Sequence, residues 1–203
     1  MTAARYLTGL LAGLTLALTF SQTWAQEKQL LNSERILQKF GSYGVEVIGQ
    51  NLGVRQANLY SEDESGRTTR TFAVVQFENE MSQAVLAIHE QILNGSSIGS
   101  TFKENGWEVV KTSQIIEELD LDQLESPVAQ SMRLEPPQTL ALHIYEFAVS
   151  NGQDAHITYA LIAELHHPVY LGLDELHDLY QLNDSQMNSD AVNRLKLHIS
   201  ELL

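Results

Sequence analysis

Residues 139–166 read TLALHIYEFAVSNGQDAHITYALIAELH, two runs rich in Leu, Ile, Tyr and Phe on either side of Asn151-Gly152. That dipeptide is the strongest short-range hairpin signal, so this stretch constrains the fold more than any other. With an even-length loop, the two-residue period of a strand fixes which side chains share a face. Leu140, Leu142 and Ile144 fall with Ile157, Tyr159, Leu161 and Ala163 on an apolar face that must be covered. The opposite face is mixed, with His143, Tyr145 and Phe147 beside His156, Thr158, Ile162 and Glu164. These last residues, apart from Ile162, are the candidate binding set.

The start of the chain has the three parts of a secretory signal. Arg5 is followed by an apolar run over residues 7–20, and Thr23-Trp24-Ala25 resembles a small-residue cleavage site. The run is shorter than the roughly 20 apolar residues that a spanning helix needs. We therefore expect residues 1–25 to be removed and residues 26–203 to form one domain in the periplasm, without stable membrane insertion. The chain has no cysteine, which excludes disulfides, thiolate nucleophiles and zinc–thiolate sites. Its formal net charge of −14 makes nucleic acid and anionic lipid poor partners.

Along the chain, Ser33 is placed to cap a short helix carrying Ile36, Leu37 and Phe40, which Gly41 stops. Three runs, 43–48, 54–60 and 68–77, predict a meander, with Arg70 at the surface pairing with carboxylates. From Asn79 the period lengthens to about 3.6, and Met81, Ala84, Val85, Ile88 and Ile92 form one helical face. Gly95 ends that helix and a shorter one bears Ile98 and Phe102. Residues 107–112 predict a strand, and 113–132 an acidic helix interrupted by Pro127. Residues 173–180 and a last segment capped by Ser189 or Asp190 predict two more helices, separated by a polar linker at 183–188.

Several catalytic and ligand motifs fail on spacing. Glu62-Asp63-Glu64 lacks the spaced ligands and central glycine of an EF-hand. The stretch 95–101 is rich in glycine and hydroxyls but lacks the P-loop spacing and lysine, and reads as a helix-to-helix junction. His89-Glu90 has Leu93 where the H-E-x-x-H motif needs histidine. No G-x-S-x-G elbow occurs, and Ser42 precedes a meander strand. Five of the seven histidines nevertheless lie within or just after the hairpin. A cysteine-free metal site would draw on imidazoles and carboxylates, with His143, His166, His167 and Asp174 as the candidates.

These observations predict an α+β domain with a mostly antiparallel sheet of about six strands and helices mainly on one face. The expected function is that of an exported accessory protein, without catalytic activity or cofactor, that binds an envelope protein or a small apolar ligand. The alternative is a metal-dependent or hydrolytic envelope enzyme using His and Glu residues of the hairpin.

Overall fold

In the computed structural model all residues are described except 1–29, 52, 124, 153–155, 181 and 183–188. The expected signal segment and the linker at 183–188 therefore lie outside the described residues. Leu31–Leu203 forms one compact unit. Its elements run α1 (Asn32–Phe40), β1 (Gly44–Asn51), β2 (Val54–Asp63), β3 (Gly66–Phe77), α2 (Gln83–Leu93), α3 (Ile98–Glu104) and β4 (Glu108–Leu121). They continue with α4 (Pro127–Met132), β5 (Gln138–Ser150), β6 (Ile157–His166), α5 (Leu173–Leu179) and α6 (Asp190–Ser200). The strands form one sheet in the order β1-β2-β3-β6-β5-β4, antiparallel throughout. The fold is the expected α+β domain. Among the described residues, no helix is long and apolar enough to cross a membrane.

Strand alternation gives the sheet two different faces. On the first, Phe72 and Val74 of β3, Leu140, Leu142 and Ile144 of β5 and Ala163 and Leu165 of β6 are buried under α4 and α6. Ser126 caps α4 by accepting from Ala129 N at 2.8 Å, and Ser189 caps α6 by accepting from Val192 N at 3.3 Å. The second face carries four of the six described helices. Val75, Phe77, Tyr145, Phe147 and Ile162 pack against α2 and α3. Beyond them, Ala141 and Ile116 lie with Ile36 of α1 and Leu176 of α5. Burying each large aliphatic side chain contributes roughly 1.5–3 kcal/mol, so the apolar cluster at the centre of the first face is the main reservoir of stability.

Four local expectations are corrected. Residues 113–121 continue β4 instead of forming a helix, and paired β5 side chains explain why. Ile115, Leu119 and Leu121 join the first-face core, while Glu118 and Asp120 point to solvent. Pro127 begins α4 at its first turn, where its missing N–H costs nothing. Leu37 is 52% exposed, whereas Asn32, Ser33, Arg35 and Ile36 are buried, so α1 turns a partly polar side inward. Arg70 is also buried: its Nε donates to Ser61 Oγ at 2.8 Å and its guanidinium lies 3.9 Å from the Phe40 ring centroid.

The fourth correction concerns the hairpin. Phe147 pairs with Ala160 and Ala148 with Thr158, so Tyr159 is an extra residue in β6 and reverses the alternation toward the turn. Tyr159 consequently leaves the first face and packs with Phe77, Phe102 and Phe147 on the second. Leu142→Ala, at a position with no exposed area, is expected to cost about 3 kcal/mol in urea unfolding. Leu37→Ala is expected to change stability by less than about 0.5 kcal/mol in the same measurement.

Candidate functional site

The sheet register brings three polar side chains together on the second face. His143 of β5 is directly opposite Glu164 of β6, and His166 lies two residues farther along β6, on the same side. Across on β3, Ala73 faces Glu164 and Thr71 faces His166, while on β5 Ala141 faces His166. The small alanines leave space beside the larger polar groups. One ligand atom from each of His143, Glu164 and His166 lies within 4.8 Å of the others, and all three residues are buried. Helix α1, the segment before α5 and the first half of β4, with Lys111 and Ser113, complete the surroundings.

The groups around them supply hydrogen bonds. Asn32 Nδ2 donates to Glu164 Oε1 at 3.0 Å and to Thr71 Oγ1 at 3.1 Å. The Tyr170 hydroxyl donates to Asn32 Oδ1, which fixes the orientation of that amide. Thr71 Oγ1 lies 3.1 Å from His166 Nδ1, and Ser113 Oγ lies 2.9 Å from His143 Nε2. The remaining nitrogens, His143 Nδ1 and His166 Nε2, have no hydrogen-bond partner among the described residues. His166 Nε2 is 3.9 Å from Glu164 Oε2, which is an ion-pair distance only if the imidazole is charged.

Burial makes it neutral. It pulls the His166 pKa down to about 4, against the opposing attraction of Glu164 and with further help from Lys111 and Arg35. His143 is held well below its ordinary range by burial, Lys111 and His166. Its ring lies between Tyr145 and Tyr180, at centroid separations of 4.7 and 4.4 Å. Lys111 Nζ sits 4.4 Å from the Tyr145 ring centroid. Burial and the Glu164 carboxylate raise the Tyr145 hydroxyl well above its usual range, so it remains a donor at neutral pH. The site thus combines two neutral imidazoles, one carboxylate and a protonated phenol.

A cavity of about 60 Å³ adjoins Glu164 and Tyr145, with Leu31, Tyr43, Arg55 and Phe147 among its walls. Arg55 is already engaged, its Nη1 donating to the Ile92 and Ser96 carbonyls at the end of α2. Gly99 on α3 is needed for close packing, since a Cβ there would come within 2.8 Å of Leu31 Cδ2. The stretch 95–101 thus spans the junction between α2 and α3 and the first turn of α3.

Of the residues singled out from the hairpin, the structure brings together His143, Tyr145 and Glu164, with Phe147 farther along the same face. His156 is exposed before β6, outside the paired register, and Thr158 donates to Glu146 Oε1 at 3.1 Å on the first face, because the Tyr159 bulge reverses its side. His166 joins the cluster. His167 does not: its Nδ1 accepts from Val169 N at 3.1 Å, and Asp174 is exposed on α5. Asn32, Thr71 and Ser113 were not legible as members, since each sits in a different segment, and Tyr170, which reads in the sequence as an exposed aromatic suited to a binding surface, is instead buried against Asn32. The only local clue was the polar character of the start of α1.

The chain matches no protein-family model and no curated protein at a significant level.

The depressed imidazoles set a pH dependence. Below about pH 6.5 the unfolded chain takes up protons that the folded chain refuses, so stability falls as pH drops from about 6.5 toward about 4. Each histidine contributes a slope of at most about 1.4 kcal/mol per pH unit. Urea unfolding in the presence of a chelator should show this decline, and His166→Gln should flatten it.

Proposed function

We propose that the chain is an exported periplasmic binding protein, without catalytic activity of its own, that takes a small, largely apolar molecule into the cavity beneath α1 and α3. The cavity carries the reading: Leu31, Val45, Leu59, Phe147 and Ile162 form its apolar wall, beside a polar side that includes Arg55, Lys111 and Glu164. A mostly apolar wall with few polar groups is the usual composition of a ligand site. Its volume of about 60 Å³ limits the occupant. Drug-sized sites run to roughly 300–1,000 Å³, so this one suits a molecule of a few heavy atoms, or the tip of a larger one.

Export is supported by the sequence of residues 1–25, and absence of catalysis by the failure of each catalytic motif on spacing. N-terminal sequencing of protein recovered from the periplasm should begin at Gln26. Met1 on material retained in the cytoplasm would contradict export.

Native mass spectrometry of the protein isolated from cells is expected to show a small bound molecule. Ala57→Val, which places two methyl groups at the cavity wall, should weaken its binding at least about tenfold while the thermal unfolding temperature moves by only a few degrees. No bound molecule, or undiminished binding by the valine variant, would overturn the cavity reading.

A further inference from the structure

We propose that His143, Glu164 and His166 bind a divalent transition-metal ion. This inference needs no occupant in the neighbouring cavity and stands whether or not a small molecule binds there. Three observations converge. The three side chains present ligand atoms within 4.8 Å of one another. Each imidazole keeps one nitrogen without a hydrogen-bond partner among the described residues, at positions with at most 1% of the residue exposed. The other nitrogen of each is held by a hydroxyl, Ser113 Oγ on His143 and Thr71 Oγ1 on His166.

For His166, whose free Nε2 faces Glu164 Oε2, the last arrangement is what a metal-binding histidine requires, and His143 meets the same requirement with Nδ1 as its ligand atom. A partner on the far nitrogen fixes tautomer and ring orientation, leaving the near nitrogen's lone pair for the ion. Hydroxyls can accept the far N–H, as both do here if the near nitrogens are to coordinate. Zinc binds nitrogen and carboxylate oxygen at roughly 2.0–2.2 Å, so two ligands of a tetrahedral site stand about 3.4 Å apart. His166 Nε2 and Glu164 Oε2 at 3.9 Å need to close by about half an ångström. Asn32 holds the other Glu164 oxygen and thereby orients the carboxylate.

Two imidazoles and a carboxylate select a first-row transition metal over calcium or magnesium, which take oxygen ligands. The set is that of a three-ligand zinc site, with a fourth position for water or a ligand atom. Because Glu164 and Tyr145 also line the cavity, that position can communicate with it. Lys111 is the opposing influence, and the Glu164 charge must outweigh it. Its ammonium is drawn over the Tyr145 ring.

The test is titration of chelator-treated, untagged protein with zinc at pH 7.5. One equivalent should bind, and His143→Gln, Glu164→Gln and His166→Gln should each weaken it by at least about tenfold with circular dichroism unchanged. Thr71→Val, which removes the hydroxyl that meets both His166 Nδ1 and the Asn32 amide while leaving all three ligands in place, should weaken it by roughly 10- to 100-fold. His177→Ala, at an exposed position of α5, should have no effect. On the unaltered chain, zinc should shift the ring NMR resonances of His143 and His166 and leave those of His177 in place. Failure to bind zinc, or binding that moves only the resonances of other histidines, overturns the proposal.

Discussion

Glu164 is a carboxylate on a central strand, 4% exposed, in a sheet covered on both faces. Taking such a group out of water costs several kcal/mol unless donors meet it. Much of the second face is arranged around that requirement. Ala73 and Ala141 stay small beside the cluster, α1 turns Asn32 inward, and Tyr170 reaches across to orient the Asn32 amide. Lys39 Nζ donates to the Tyr170 carbonyl at 2.7 Å and ties that segment back to α1. The inward turn of Asn32 follows from the carboxylate beneath it, while Ser33 meets Ser100 of α3 at 3.2 Å.

The two faces of the hairpin therefore have different tasks. Phe72, Leu140, Leu142, Ile144 and Leu165 build an apolar cluster on the first face whose burial offsets the cost of the second. The second is itself divided: aromatic rings under α2 and α3, and the polar cluster under α1 and α5. A cluster kept only for stability would be a poor choice, since apolar replacements of buried polar networks are often neutral or stabilising. That comparison favours a functional reason for the cluster.

Strand period and turn chemistry made the hairpin, the meander and the facing of His143, Tyr145 and Glu164 readable from the order of residues alone. Other features depended on information that does not reside in adjacent residues. The extra residue at Tyr159 reverses alternation without any glycine or proline to announce it, which moved Thr158 off the site. Ile115, Ile116 and Leu119 among acids imitate a helical stripe, yet they form a strand because β5 offers a partner along its whole length. Glu117, which the acidic pattern assigns to a helix, instead receives Lys196 of α6 at 2.8 Å. Asn32, Thr71, Ser113 and Tyr170 reach Glu164 and the histidines only through tertiary packing, which no local pattern encodes.

The account rests on both buried imidazoles being neutral beside a buried carboxylate, instead of one of them forming an ion pair with it. Nitrogen-15 NMR of the His143 and His166 rings in chelator-treated protein at pH 7 tests this most directly. The account predicts two neutral rings, each locked in a single tautomer by its hydroxyl partner. A doubly protonated His166 ring at pH 7 would make the cluster an internal salt bridge and contradict it.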